Sequence, residues 1–413
     1  MNLKQDRQTL RELTYKYFEI AHCERNRQKI ELHKAVNDLR MKRPVVLIDE
    51  LPWNEMNIGD ELTLKCENKF LREVEWYLRS TIYRDKYFPA DMIVPPYIPV
   101  SKIIDSTGIG ISVEEETLSV DQKNHIKSHD YKDILKTEED LAQIHNPEIS
   151  YNREKTIERY NLLGDMIGDI IPVKITGISY YGVMTWDDIA RYRGVNNLLV
   201  DLIDRPDFMH KIAARLTETK LSYLKQVEEL GLFDNDPYDL HCTPAKTDDL
   251  PGDDFEVNNL TRENVWGRGA AQIFSSVSKE MHKEFDIEYM KKTVGQCGLV
   301  YYGCCEALDE KIDIVEKIPN LRKISISPWA DVNAAAEAIN EKYVLSAKPN
   351  PSVVSGRKLN EKEARNELET IIQASKKYNC SCDIVLKDIS SCAHRPQNIF
   401  EWEQIAMEMV RNF

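Results

Sequence analysis

The chain has 413 residues, 42% of them hydrophobic and 30% charged, with a formal net charge of −14. This is a globular composition, and its acidic balance argues against a nucleic-acid partner, whose phosphates are met by lysine and arginine. No apolar run approaches the roughly 20 residues of a membrane helix, and the polar start Met1-Asn-Leu-Lys-Gln-Asp-Arg7 lacks the apolar core of a signal peptide, so a cytoplasmic protein with no membrane partner is expected.

Residues 1–40 read as highly charged helix, an N-terminal extension that packs on the main domain or on the second subunit of a homodimer. Pro44-Val-Val-Leu-Ile-Asp-Glu-Leu-Pro-Trp53 is a short β-rich run bounded by prolines. A helix around Glu61–Arg79 and a second run, Met92-Ile-Val-Pro95, follow. Residues 105–150 are polar and read as an insertion, of a length that usually carries function or moves. Ile170–Gly177 is a third run, Asn197–Leu230 a long amphipathic helix, and Pro237–Cys242 a fourth, weaker run. Gly298–Tyr302, Leu321–Ser327, Tyr343–Ser346 and Cys382–Lys387 are runs five to eight. Helices are expected around Leu308–Lys317, Val332–Asn340, Glu361–Lys377 and Asn398–Arg411.

Runs alternating with helices indicate βα units, and eight of them an α/β fold of the (β/α)8 TIM-barrel type over residues 41–413, behind the helical extension. An open doubly wound sheet is the competing architecture. Its dinucleotide-binding version is disfavoured, because no Gly-x-Gly-x-x-Gly follows the first strand.

Active sites of such barrels lie at the C-terminal ends of the strands. Asp49 and Glu50 follow the first run, Tyr180 and Tyr181 the third, and His241 and Cys242 end the fourth. Cys304, Cys305 and Glu306 end the fifth, Trp329 follows the sixth, Lys348 the seventh, and Asp388 and Cys392 the eighth. Asp49, Glu50 and His241 are the titratable candidates for catalysis. Tyr180, Tyr181, Trp329 and Lys348 are the candidates to contact a substrate. The nine cysteines are odd in number and two are adjacent, which argues for reduced thiols over a disulfide framework. Thiols beside a histidine and carboxylates suit zinc, whose catalytic sites keep three protein ligands and one open position. One of Cys304 and Cys305 points into the mouth and the other away, since side chains alternate on a strand.

The run order and the tail Asp388-Ile-Ser-Ser-Cys-Ala-His-Arg-Pro-Gln-Asn398 resemble the uroporphyrinogen decarboxylase superfamily, with Arg395-Pro-Gln-Asn398 at the last helix start and Ser346-Ala-Lys-Pro-Asn-Pro351 at the seventh-strand motif. The decarboxylases themselves carry arginines near the first strand, whereas this chain has Asp49-Glu-Leu-Pro-Trp53. The chain is most similar to the corrinoid methyltransferase branch, which uses His-x-Cys at the fifth strand and a distal cysteine after the last. Tyr302-Gly-Cys304 and Cys392 stand at those places, with tyrosine in place of histidine. The resemblance implies zinc held by Cys304, Cys392 and Glu306, with His241 or a first-strand acid as substitutes. It further implies methyl transfer from a small methylated donor, an aryl methyl ether, to a separate corrinoid protein, since the chain has no Asp-x-His-x-x-Gly cobalamin motif. A decarboxylase and a non-catalytic ligand-binding barrel are the alternatives.

Overall fold

The computed structural model describes residues 3–118, 127–252, 255–256 and 259–413. Its centre is a seven-stranded sheet: β1 Val45–Ile48, β2 Tyr180–Val183, β3 Trp266–Gly269, β4 Leu299–Tyr302, β5 Leu321–Ile326, β6 Val344–Ala347 and β7 Cys382–Leu386. Every pairing is parallel and the order is β1-β7-β6-β5-β4-β3-β2. Sequential strands are neighbours, and the first strand joins the last. No ladder joins β1 to β2 among the described residues.

The sheet has two buried faces, as a parallel sheet with helical crossovers requires. Val46, Ile48, Ile324, Ile326, Leu345, Ile384 and Leu386 pack outward on helices Val332–Ile339, Glu361–Lys377 and Gln397–Arg411. The alternate positions Val45, Leu47, Val344 and Val385 face inward, with Val36 and Cys242. The same alternation places Lys323, Ser346 and Asp383 inside.

Among those apolar residues the inner face carries a polar column nearly closed to water. Lys323 Nζ lies 2.9 Å from Asp383 Oδ2 and donates to Thr243 Oγ1 at 2.8 Å. Lys348 Nζ donates to Ser346 Oγ at 2.6 Å and to the Cys242 carbonyl at 2.8 Å, and sits 3.9 Å from Asp383 Oδ1. Burial lowers Lys323 to about 8 against the pull of Asp383. Burial raises the Asp383 carboxyl, but the two ammonium groups outweigh it and hold the acid below its ordinary value. The short hairpin Asp239–Leu240/Thr243–Pro244 supplies the Thr243 hydroxyl to this column.

Helix Glu24–Asn37 covers the N-terminal ends of the strands. Asn37 Nδ2 donates to the carbonyls of Pro244 and Lys246 at 3.1 and 2.8 Å, and Arg322, near the start of β5, donates to the Asn37 carbonyl at 2.6 Å. Helix Leu3–His22 instead shares a second core with helices Lys69–Tyr87 and Arg153–Ile167, through Leu10, Tyr17, Leu71, Leu78, Leu163 and Ile167.

Several expected elements fall elsewhere. The second run is not a strand; Ile98–Ser101 is, and it pairs only with Val173–Thr176, the third run, in a separate ribbon. The fourth run contributes two residues to the hairpin. The sheet instead takes β2 and β3. Trp266-Gly-Arg-Gly269 hides its strand character because Gly267 and Gly269 face the crowded outer side. A Cβ on Gly267 would lie 2.8 Å from the Val294 carbonyl oxygen. The helix expected at Glu61–Arg79 runs from Lys69 to Tyr87, started by Asn68, whose side chain accepts from the Leu71 N–H. Within the insertion expected at 105–150, antiparallel pairs join Ile104–Ser106 to Ile149–Tyr151 and Glu115–Leu118 to Ser128–Tyr131; its residues 119–126 lie outside the described residues.

Asp383→Ala leaves two buried ammonium groups without their carboxylate. It is expected to destabilise the chain by about 3–5 kcal/mol, read as a lower urea midpoint with unchanged slope.

Candidate functional site

β1 and β7 are neighbours, so their C-terminal ends emerge together: the Asp49 N–H donates to the Leu386 carbonyl at 2.9 Å and the Ile389 N–H to the Glu50 carbonyl at 3.1 Å. Glu50, Cys242 and Asp388 all have positive φ, at 49°, 56° and 56°. Non-glycine residues pay roughly 1 kcal/mol or more for that region, and such strain gathers where side-chain aim matters. Here it turns three ligand-type side chains toward one point.

β4 ends differently. Gly303 has φ 97°, and a Cβ there would lie 2.8 Å from Leu308 Cδ1 and 3.1 Å from Ser325 Cβ. The turn breaks the alternation of the strand. Tyr302 stays on the outer face, where its hydroxyl donates to Asp286 Oδ2 at 2.6 Å and lies 2.6 Å from His282 Nε2. Cys304 and Cys305 turn inward to Lys387, the next inner-face position after Asp383 and Val385.

Lys387 Nζ lies 3.4 Å from Cys304 Sγ, 3.3 Å from Cys305 Sγ, 2.6 Å from Asp388 Oδ2 and 3.6 Å from Glu50 Oε2. The two sulfurs are 3.8 Å apart, and Cys305 also donates to Asp388 at 3.3 Å. His241 Nε2 is 3.4 Å from Glu50 Oε1. One ligand atom from each of Glu50, His241 and Cys242 falls within 4.8 Å of the other two, the one such grouping of three His, Cys, Asp or Glu among the described residues.

The charges follow from this packing. The Cys305 S–H, then His241 and the Lys387 and Arg268 charges, hold the Cys304 thiol far below its ordinary value, against burial. Cys305 is pushed up by the same contact and by burial, so Cys304 is the thiolate of the pair. Burial lowers Lys387, but the thiols and Asp388 outweigh it and keep the ammonium charged. Burial, then the hydrogen bond with Asp388, raises Glu50, while Asp388 is held low because its bonds to Glu50 and Lys387 outweigh its burial. Burial pushes the Cys242 thiol up.

The structure brings together only some of the expected residues. Glu50, His241 and Cys304 meet at the cluster. Lys348 and Trp329 line, with Cys304, Cys305, Lys387 and Asp388, a cavity of about 360 Å³ above it, Trp329 as its exposed rim. Asp49 stands next to Glu50, its Oδ1 accepting the Glu50 N–H at 2.9 Å. Tyr180 lies on the inner face beside Arg268, but Tyr181 turns outward and donates to the Lys220 carbonyl at 2.9 Å. Cys304, Glu306 and Cys392 do not converge. Both oxygens of the buried Glu306 are taken by backbone, from the Ala271 N–H at 2.8 Å and the Cys304 N–H at 2.6 Å, so it braces the turn. Cys392 belongs to a loop wrapped on Glu55, whose Oε2 accepts its N–H at 2.8 Å and that of His394 at 3.0 Å, and burial and Glu55 push its thiol up to about 12. Asp388, Cys242 and Cys305, expected at the strand tips without a role, join the cluster, and Lys387 is a site residue the strand-tip pattern does not name. The period of two through Asp383, Val385 and Lys387 is the signal that marks the lysine.

No family model matches the sequence, and no curated protein matches it. Among solved structures the chain is similar to a methyltransferase from Methanosarcina mazei, with a TM-score of 0.48 and 11% identity over 92% of this chain and 97% of that one.

Lys387→Met removes the cation beside Cys304. The thiolate midpoint, followed by ultraviolet absorbance with Cys304→Ser as the blank, is expected to rise by about 1–2 pH units. The wild type keeps its thiolate well into the acid range; the variant loses it at a higher pH.

Proposed function

We propose that this protein is a zinc-dependent methyltransferase on a (β/α)8-type barrel, moving a methyl group from a small methylated substrate, an aryl methyl ether, to a separate corrinoid protein. The β1–β7 pairing supports the barrel reading, since a barrel sets its first strand beside its last. The observation that carries the function is the meeting of Glu50, His241 and Cys242 within 4.8 Å, with the Cys304 thiolate on the far side of the cluster, where His241 reaches it.

These residues fit the metal. An oxygen, a nitrogen and a sulfur donor suit zinc. Glu50 Oε2 is buried without a hydrogen-bond partner, with Lys387 Nζ 3.6 Å away, so it keeps a lone pair that a metal could take. Glu50, Asp388 and Cys304 gather around Lys387, so carboxylate and thiol donors stand together where a divalent ion could be held. Glu50, His241 and Cys242 would hold the zinc, with Cys304 in reach. Zinc bound there would supply a Lewis acid for an ether oxygen.

The chain supplies the rest. Lys387 holds the Cys304 sulfur as thiolate and fixes Asp388. Glu306 fixes the Cys304 backbone through its N–H, so the sulfur is positioned from both ends. Trp329 and Lys348 flank the approach to the sulfur from the mouth. The exposed Trp329 leaves the cavity facing solvent at the strand tips, where a second protein carrying the acceptor can reach it. No helix among the described residues is long and apolar enough to cross a membrane.

The purified protein is expected to carry about one zinc per chain, and to lose it in His241→Ala and Cys242→Ser while keeping it in Cys392→Ser. A chain without zinc, or one whose zinc is lost only in Cys392→Ser, overturns this reading.

A further inference from the structure

Arg268 is a buried cation with almost nothing to bind. It is 3% exposed, its Nε and Nη2 have no hydrogen-bond partner, and its Nη1 reaches only Met184 Sδ at 3.0 Å. No carboxylate lies within ion-pair distance of it among the described residues. Two of its three donor nitrogens go unmatched inside the protein, which is costly unless a ligand pairs with them. Such a group is kept where something outside the chain completes it.

Its surroundings are built to receive that partner. Arg268 stands in register with Tyr301 on one side and Gly182 on the other. Arg268 shares the inner face with Trp266, which packs with Leu299, Tyr301 and Leu240. The Tyr301 hydroxyl is fully buried and also lacks a partner, the nearby Ser325 hydroxyl being committed to the Cys304 carbonyl at 2.9 Å. On the other flank Gly182 contributes no side chain, and a Cβ there would meet only Tyr180 Cε2, at 3.5 Å. Two guanidinium donors and one phenol are therefore left unpaired on neighbouring strands, beside a strand that carries no side chain at Gly182. The guanidinium is close enough to Cys304 for the two charges to act on each other.

We infer that Arg268 and Tyr301, opened by Gly182, form an anion-receiving site for a carboxylate of the small-molecule substrate, and that Arg268 selects an acid over its neutral analogue. The planar fork of arginine matches a carboxylate with two parallel hydrogen bonds, and the phenol adds a third. The inference rests on the reading of the strand-tip cluster as the reacting centre, since it places the anchor beside that centre.

The test is calorimetric titration of the full chain with benzoate, acetate, methoxybenzene and inorganic phosphate, in wild type, Arg268→Met, Arg268→Lys and Tyr301→Phe. A carboxylate is expected to bind the wild type and methoxybenzene to bind far more weakly. Arg268→Met is expected to weaken the carboxylate about a hundredfold, Arg268→Lys to recover part of it, and Tyr301→Phe to lose less. Without ligand, Arg268→Met is expected to melt no lower than wild type, because an unpaired buried charge has been removed. A methionine variant that melts well below wild type makes Arg268 a structural ion and overturns the inference. Equal binding of carboxylate by Arg268→Met, no carboxylate binding by wild type, or tighter binding of phosphate overturns it too. Zinc content reads the other claim separately: loss of selectivity with zinc intact removes only the anion site, and selectivity without zinc removes only the metal reading.

Discussion

The ammonium of Lys387 lies between two sulfurs and two carboxylates in a place only 3% exposed. A buried charge persists only when its partners are close and well placed, so this contact constrains the residues that supply them. Glu50 comes from the end of β1, Asp388 from the end of β7, Cys304 and Cys305 from the turn after β4. Each of those backbone turns is unusual: φ is positive at Glu50, Asp388 and Gly303. The strain and the ion cluster are two sides of one arrangement, in which the turns aim the acids and thiols and the ammonium holds them there.

The same logic runs down the inner face. Lys348 binds Ser346 and the carbonyl of Cys242, Ser346 binds Asp383, and Asp383 binds Lys323. This polar column fixes the hairpin that carries His241 and Cys242, because Thr243 and the carbonyls of Cys242 and Pro244 are its acceptors. The position of the candidate ligands therefore depends on ion pairs buried beneath them as much as on the loop that contains them. Arg268 is the exception on this face, a cation whose Nε and Nη2 meet no acceptor among the described residues.

The sequence revealed the strands that bury both faces with apolar residues. Val45–Ile48, Leu299–Tyr302, Leu321–Ile326, Val344–Ala347 and Cys382–Leu386 are such segments, and helix Glu361–Lys377 shows the spacing that its burial against the sheet requires. Tyr180–Val183 and Trp266–Gly269 were not legible as strands, because glycine interrupts both runs, at Gly267 and Gly269 where neighbours leave no room for a Cβ. Within the site, strand-tip position pointed to Glu50, His241 and Cys304. It misdirected Glu306 and Cys392, because the sequence does not reveal which buried acid is consumed by backbone N–H groups or which thiol lies on another loop. Tyr302 shows the same limit: adjacent in sequence to the site, it keeps the strand's outward alternation, while the Gly303 turn brings Cys304 inward.

Glu50, His241 and Cys242, backed by the Cys304 thiolate, are proposed as a zinc centre at the strand tips, and X-ray absorption at the zinc edge reads its ligands. The expected spectrum has a mixed inner shell, with sulfur at about 2.3 Å and nitrogen or oxygen at about 2.0–2.2 Å, and loses sulfur scattering in Cys242→Ser. A shell of oxygen and nitrogen alone, or a spectrum unchanged by Cys242→Ser, would contradict it.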